Sequence, residues 1–378
     1  MQDYITVNCK NSHSASESII SAIKEAKQSG INKVVIPAIN PITSSDIWEI
    51  DKTIYLPSDI EILIDGAHLR LADNTFINMF ATKNIYDKSK EEQKNIKIHG
   101  INGAVLDGGK YNGLSERNHS KDGKPHITVN TMLYFYHTKN ISVTDLKITN
   151  QRWWAITNIY VSYSEFKNIE FKADMSRVDE NGVHHPDEYP RNYEEIYVKN
   201  ADGIDLRIGC HHINKENITG FTEDDTVALT ALCGFEKPLM IDGKPTDICH
   251  VNIKHIHSDP GTCAVLRLLW KDSNKLHDIY AEDIKDTRNH ENWKCTNAVR
   301  IGDARYGTTP PSMGDAYNIT VKDVYSKGKY GVSAVTYLKD VLIDGITVSG
   351  DTLPFVVLGY GDFENVVIKN FRQADNNN

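Results

Sequence analysis

The tetrapeptide Asn95-Ile96-Lys97-Ile98 is one copy of a short pattern that recurs along the chain. In each copy an Asn or Asp precedes an Ile or Val, and an alternating run usually follows. The other copies are Asn140-Ile141, Asn168-Ile169, Asn217-Ile218, Asn252-Ile253, Asp278-Ile279, Asn318-Ile319, Asp340-Val341 and Asn365-Val366. The last three lie 340 − 318 = 22 and 365 − 340 = 25 residues apart. A period in the twenties with short alternating strands is typical of a solenoid.

The repeat predicts an all-β fold, namely a right-handed single-stranded parallel β-helix that spans residues 1–378 as one domain. Leucine-rich repeats have a similar period, but their Leu-x-x-Leu-x-Leu-x-x-Asn signature is missing from this sequence. In a β-helix, an Asn at the same turn of successive coils can stack on its counterparts and satisfy polar groups of the turns. We therefore expect a ladder of Asn side chains.

One helix and two long loops interrupt the strand pattern. Apolar residues at Ile19, Ile20, Ile23 and Ala26 form a helical stripe within about residues 14–30, which predicts an N-terminal helix that caps the open end of the solenoid. Residues 84–93 and 175–193 break the period and are expected to leave the coil as loops. The second is rich in Asp, Glu, His and Pro and is expected near the functional site, because long loops in compact domains are often functional.

Composition narrows the classes of function. The chain has 378 residues and a formal net charge of −9, which argues against a nucleic-acid surface. No run approaches the roughly 20 apolar residues of a membrane span. The six cysteines include no Cys-x-x-Cys pair, and Met1-Gln2-Asp3-Tyr4 has no signal-peptide features. Reduced thiols and a cytoplasmic location are expected, or secretion if a leader is missing. A homo-oligomer is compatible with the exposed faces of a β-helix.

Three aspartates are predicted to meet on neighbouring coils. The segments 200–206 and 223–229 align so that Ile204 falls on Val227, at 227 − 204 = 23 residues, and Asp202 then falls on Asp225 with Asp224 beside it. Adjacent coils lie ~4.8 Å apart, and crowded carboxylates raise at least one pKa. Such a group suits general acid and base catalysis of glycosidic cleavage. Ordinary Asp turns and a calcium site are the alternatives.

At these residues the chain resembles the polygalacturonase-like glycoside hydrolases of family 28, which are right-handed β-helices. Their pattern is Asn-Thr-Asp-Gly, an Asp-Asp pair, Gly-His-Gly and Arg-Ile-Lys. Segment 200–203 and the pair Asp224-Asp225 are similar to the first two motifs. Gly261-Thr262-Cys263 lacks the His of the third, and Gly302 stands after Arg300-Ile301 where the fourth has Lys. The resemblance implies that Asp202 and one of Asp224 and Asp225 divide the acid and base roles.

Further candidates for substrate binding come from charged and aromatic residues. Arg207, Arg267 and Arg300 are expected to face outward beside the aspartates, together with Asp205, and either clamp a sugar carboxylate or neutralise the aspartates. The Trp153-Trp154 pair is a candidate sugar platform, with packing as the alternative. His184 and His185, in the long loop, are candidates for a lid or a second acid and base. These residues complete the predicted substrate site: Arg207, Arg267, Arg300, Trp153, Trp154, His184, His185 and Asp205.

The sequence therefore predicts a glycosidase that hydrolyses an oligosaccharide of pectin-like or other plant or acidic type, with inversion. No cofactor is expected. No metal site is predicted: His211-His212 and His255-x-His257 lack further ligands at metalloenzyme spacing. The alternatives are a polysaccharide lyase or fructan-type transferase on the same scaffold, and a non-catalytic carbohydrate-binding β-helix. An oligosaccharide or polysaccharide is the expected partner, with neither nucleic acid nor membrane.

Overall fold

Parallel strands joined by tight turns form nearly all of the regular structure. The computed structural model describes residues 3–8, 14–73, 75–85, 91–109, 130–151, 153–181, 183–190, 195, 201–234, 236–288 and 295–374. The chain divides into two compact units, one of residues 1–157 and 164–201 and one of residues 158–163 and 202–378. Both consist of stacked parallel coils, so the predicted fold class, a parallel β-helix with an N-terminal helix, is confirmed.

Among its described residues, the first unit contains helix α1 (Ala15–Gln28) and strands of 2 to 17 residues. Its strands are β1 Ile5–Thr6, β2 Lys33–Pro37, β3 Ile47–Ile50, β4 Ile54–Leu56, β5 Ile60–Asp65, β6 His68–Leu71, β7 Phe80–Thr82, β8 Gln93–Ile101, β9 Val105–Asp107, β10 Leu133–Thr149, β12 Arg177–Val178 and β13 His184–His185. Strand β11 (Ile156–Lys172) has residues in both units.

The second unit contains longer strands and one turn of 3-10 helix at Lys237–Leu239. Its strands are β14 Ile204–Leu206, β15 His211–Thr222, β16 Val227–Ala231, β17 Ile248–Pro260, β18 Ala264–Trp270, β19 Leu276–Asp286, β20 Asn297–Gly302, β21 Ala316–Ser326, β22 Tyr330–Val335, β23 Leu338–Val348, β24 Leu353–Val357 and β25 Phe363–Gln373.

Helix α1 caps the first coils of the first unit. Ser14 is its N-cap, and the Ser14 Oγ accepts a hydrogen bond from Glu17 N at 3.3 Å. Three residues of the predicted stripe, Ile19, Ile23 and Ala26, are buried, whereas the prediction was wrong for Ile20, which is 38% exposed. The buried face lies against β1 to β4. The helix therefore covers apolar strand surface that would otherwise be open to water.

Three ladders of parallel strands run through the first unit. Strands β2, β5, β8 and β10 form one, β3, β6, β9 and β10 another, and β4, β7 and β10 the third. Successive inward positions are apolar, as in the fully or nearly buried column Ile60, Ile96 and Ile141. Each such side chain contributes roughly 1.5–3 kcal/mol on burial, which makes this column a main source of stability.

The second unit repeats this arrangement with two long ladders. One pairs β14, β16, β18, β20, β22 and β24 in order, and the other pairs β15, β17, β19, β21, β23 and β25. The first ladder carries the predicted aspartates and arginines at its start. Its inward positions are buried aliphatic residues, such as Ile204, Val227, Leu266, Val299 and Val332.

The predicted Asn ladder occurs at left-handed corners of the coils. Asn95 and Asn140 both have positive φ, and the Asn140 Nδ2 donates to the Asn95 Oδ1 at 2.5 Å. Asn365 likewise donates to the Asp340 Oδ1 at 2.6 Å. The first unit has a second corner of this kind, where Asn168 has positive φ and its Nδ2 donates to the Asp145 Oδ1 at 2.7 Å. Asn252 is an exception to the pattern, because the positive φ values of its strand fall on His250 and His255.

The predicted long loop at residues 175–193 contains regular structure. Strands β12 and β13 form an antiparallel hairpin in which Arg177 pairs with His185. Residues 182 and 191–193 of this loop, and residues 86–90 of the loop predicted at 84–93, lie outside the described residues. In the part of the chain that the structure describes, no helix is long and apolar enough to cross a membrane, and Cys210, Cys233, Cys249, Cys263 and Cys295 are free thiols.

Candidate active site

The strand register brings Asp202 and Asp225 onto adjacent coils of the second unit. Ile204 pairs with Val227 and Leu206 with Leu229, so the predicted offset of 23 residues is confirmed. All four of these apolar residues are fully buried, as expected for inward positions. Directly before them, Gly203 N donates to the Asp225 carbonyl oxygen at 2.9 Å. Asn200, the first residue of the predicted motif, lies outside the described residues.

Asp225 is almost completely buried and has donors on both carboxylate oxygens. Ala264 N donates to Oδ1 at 3.0 Å, and the Arg267 Nη1 lies 3.4 Å from Oδ2. Burial raises the pKa of Asp225 to about 7; Arg267 lowers it, and the neighbouring Asp224 raises it further. A carboxyl with this pKa holds a proton part of the time at neutral pH, which is the property that a general acid needs.

Asp224 lies beside Asp225 and is less buried. Thr262 Oγ1 donates to the Asp224 Oδ1 at 3.2 Å and also reaches the Glu223 carbonyl oxygen at 3.0 Å. Atoms of Asp224, Asp225 and the Cys263 thiol all lie within 4.8 Å of one another. The Gly261-Thr262-Cys263 segment, which stands where the family has Gly-His-Gly, therefore contacts both aspartates.

Asp202 is buried and neighbours the carboxyl of Asp205. Burial raises the pKa of Asp205 to about 7, against the opposing effects of Arg207 and Lys215. Asp205 has no exposed surface. It was predicted as a substrate contact, but the structure encloses it completely, beside Asp202 and Arg207.

A buried charge network extends from Asp205. The Arg207 Nη1 lies 3.8 Å from the Asp205 Oδ1, and the Arg207 Nε donates to the buried Glu236. Lys215 points into the core of the coil, where its Nζ donates to the Ile204 carbonyl oxygen at 3.4 Å. Burial lowers the pKa of Lys215 to about 7, although Asp205 acts in the opposite direction. Arg207 was expected to face outward but is enclosed by these ion pairs.

Arg267 and Arg300 form the predicted arginine column, since they are paired in register on β18 and β20. Both bind one carboxylate: the Asp303 Oδ2 lies 2.7 Å from the Arg267 Nη2 and 2.5 Å from the Arg300 Nη2. The guanidinium of Arg267 also lies over the Tyr306 ring, 5.2 Å from its centroid. Arg207 belongs to a different column, because Leu206 before it pairs with Leu229.

Four of the predicted substrate residues belong to the first unit. The rings of Trp153 and Trp154 lie 5.4 Å apart at 39°, and both side chains are half-buried. His184 Nε2 is 3.4 Å from the Asp174 Oδ2, and His185 Nε2 is 3.4 Å from the Asp179 Oδ2. These histidines thus contact carboxylates within and beside their hairpin, and their role toward a substrate stays a prediction.

The His255-x-His257 pair has a carboxylate partner on the next coil. His255 Nδ1 and His257 Nε2 lie 2.8 and 2.7 Å from the Asp283 Oδ2. The fold therefore brings a carboxylate, which the local sequence lacks, next to both histidines. Lys285 Nζ also lies 2.8 Å from the Asp283 Oδ1, so the negative charge of this carboxylate is already balanced by an ammonium group.

Several residues of the site were missed by sequence reasoning. Cys263, Glu236 and Asp303 reach the aspartates or arginines from distant turns, and Lys215 does so from inside the coil. Two signals were available in the sequence. Asp303 follows Arg300 by three residues, and Lys215 pairs with Ile253 at an inward, apolar position of the repeat.

Comparison with known proteins agrees with this architecture. The model for glycosyl hydrolases family 28 matches residues 49–234, which include Asp202, Asp224 and Asp225. The structure is similar to polygalacturonase from Erwinia carotovora (TM-score 0.60, 16% identity, 98% of this chain and 96% of that chain). It is also similar to the Yersinia enterocolitica family 28 exopolygalacturonase (0.54, 10%, 98% and 78%) and to a tailspike protein of E. coli bacteriophage HK620 (0.61, 12%, 99% and 67%). None of the curated proteins matches the sequence.

The fold and the family match together define the class of protein. The similar structures establish the parallel β-helix, and the family 28 match adds glycosidase activity. The resemblance read from the two aspartate motifs is therefore confirmed: this chain is a glycosidase, and it is similar to the family 28 enzymes.

Proposed function

We propose that this glycosidase hydrolyses an oligosaccharide of pectin-like or other plant or acidic type, with Asp202, Asp224 and Asp225 as the acid and base. The observation that carries the proposal is the convergence of these carboxyls on two adjacent coils, with the pKa of Asp225 raised to about 7. One carboxyl donates a proton to the leaving glycosidic oxygen, and another takes a proton from the attacking water.

The arrangement supports hydrolysis with inversion of the anomeric centre. In this mechanism water enters between the base and the sugar, which requires the two carboxyls to stand ~6.5–9.5 Å apart. Placement on neighbouring coils, with Asp224 one residue before Asp225, accommodates such a separation. Proton NMR of the first product formed tests this point: the opposite anomer to the substrate is expected, and retention would contradict inversion.

The test of the function is product analysis by mass spectrometry on uronate, rhamnose, galactose and fructose oligosaccharides. Products that together gain one water are expected from the wild type. Asp202→Asn and at least one of Asp224→Asn and Asp225→Asn should lose about 10²-fold or more in rate, since a positioned acid or base contributes at least this much. Asp340→Asn is the matched control, because it changes an aspartate of the corner ladder and should keep full activity.

Other outcomes would assign other functions. An unsaturated product that absorbs in the ultraviolet would indicate a lyase, and a product with a new linkage would indicate a transferase. Binding without turnover, unchanged in the three Asp→Asn variants, would indicate a non-catalytic carbohydrate-binding protein. Sedimentation analysis tests the separate expectation of a homo-oligomer.

A further inference from the structure

The two arginines next to the aspartates are both neutralised by protein carboxylates. Arg267 contacts Asp225 and Asp303, and Arg300 contacts the same oxygen of Asp303 at 2.5 Å. The Asp303 side chain is only 2% exposed, so water screens these ion pairs weakly. Neither guanidinium therefore has its charge free for a carboxylate on a sugar.

The backbone at Gly302 prevents a further cation at this point of the strand. Gly302 has φ +78°, a conformation that L side chains rarely adopt. A Cβ atom there would lie 2.4 Å from the Val335 carbonyl oxygen and 2.7 Å from the Thr336 Cβ. A lysine cannot occupy this position without moving the backbone. The turn instead leads directly to Asp303, which adds a negative charge.

The resulting charge balance has no positive excess. The connected charged groups of the site are six carboxyls and five cations: Asp202, Asp205, Asp224, Asp225, Glu236 and Asp303 with Arg207, Lys215, Arg267, Arg300 and Arg305. One negative charge remains if all of these groups are ionised, and none if one carboxyl holds a proton. A uronate carboxylate would add like charge to this site, whereas the hydroxyls of a neutral sugar can donate hydrogen bonds to it.

We infer that the glycosyl unit bound beside Arg300 and Asp303 is an uncharged sugar, and that Asp303 is the residue that excludes a uronate there. This inference rests on the proposed glycosidase function and narrows its substrate class. It separates this chain from the polygalacturonases that it resembles in fold, since those act on a uronate polymer as their names state.

The test compares each acidic oligosaccharide of the panel with its carboxyl-reduced counterpart, which has the same linkages but no charge. For the wild type, kcat/KM is expected to be at least about tenfold higher on the neutral member, because one uncompensated charge contact is worth 1.4 kcal/mol or more. Asp303→Asn releases Arg300 and should reduce this preference by about tenfold. Asp340→Asn should leave the preference unchanged.

Faster wild-type cleavage of the acidic members would overturn the inference while the proposed function stands. The wild-type preference decides the question by itself if Asp303→Asn does not fold. If no sugar is cleaved, the proposed function fails. The affinity of the wild type for each pair of oligosaccharides, measured by calorimetric titration, then replaces kcat/KM as the quantity compared. Tighter binding of neutral members then supports the inference, and tighter binding of acidic members, or no binding to any neutral one, overturns it.

Discussion

At the scale of single residues, the neighbours of Asp225 act on its pKa in opposite directions. Burial and Asp224 raise it, whereas Arg267 lowers it, and the pKa comes to about 7. Asp205, at about 7, is within electrostatic range and also acts on Asp225. Because such groups titrate together, the apparent pKa values of catalysis belong to the cluster and not to one residue.

This protonation predicts a pH profile. The rate constant kcat/KM should decrease as pH rises above about 7, because the proton that the acid donates is then lost, and it should also decrease at low pH as the base becomes protonated. Initial rates between pH 4 and 9 measure the profile. A kcat/KM that keeps rising to pH 9 would exclude a carboxyl of this cluster as the acid.

Lys215 gives a prediction about stability. Its pKa falls to about 7 in the folded state from an ordinary value of 10.5, so the unfolded chain binds more protons between these values. The cost of burying Lys215 is therefore complete below pH 7 and disappears toward pH 10.5. Lys215→Met should raise the melting temperature by roughly 2–5 °C at pH 6.5 and by less at pH 10.

Differential scanning fluorimetry across this pH range tests the prediction, with Lys322→Met as the control because Lys322 is an outer lysine of the same unit. A gain that grew with pH would contradict the sign of the shift. A loss of melting temperature at pH 6.5 would show instead that the contact of Lys215 with Ile204 and its attraction to Asp205 outweigh the burial cost.

At the scale of elements, the corners between strands require residues that adopt a positive φ. Asn140 has φ 59° and donates to Asn95 at 2.5 Å, so it supplies both a residue type that tolerates this conformation and a hydrogen bond between coils. Gly replaces the first property but not the second, and Ala replaces neither.

This difference predicts an order of stability among variants of Asn140. Asn140→Gly should cost about 1 kcal/mol through the lost hydrogen bond. Asn140→Ala should cost a further ~1–2 kcal/mol, because its Cβ is strained at positive φ. Urea denaturation of the two variants beside the wild type measures the order. Equal stabilities would mean that the left-handed corner carries no strain.

Elements also show what the sequence could predict. The offset between Ile204 and Val227 follows from a repeat with no insertion, and the structure has that register. The repeat does not predict two other contacts, Arg207 with Glu236 and Arg267 with Asp303. Their acidic partners lie on loops whose lengths vary from coil to coil. Alternation predicts which face a residue occupies, but it does not predict which loop covers that face.

At the scale of the whole molecule, the repeat predicted the fold class because each coil needs only its neighbours to bury its apolar residues. It did not predict the chemistry of the substrate, which depends on a few charges. Two roles were predicted for Arg300, to clamp a sugar carboxylate or to pair with protein carboxylates, and Asp303 after Gly302 favours the second, because Arg300 is bound to it. The cytoplasmic location remains a prediction.

The central claim is hydrolysis by the carboxyl cluster, and turnover in ¹⁸O-labelled water tests it most directly. The panel of oligosaccharides is incubated with the wild type and with Asp202→Asn, and the masses of the products are measured by mass spectrometry. We predict one ¹⁸O atom at each new reducing end with the wild type, and a rate lower by about 10²-fold or more with Asp202→Asn. Cleavage without ¹⁸O, or an equal rate in the variant, would contradict the account.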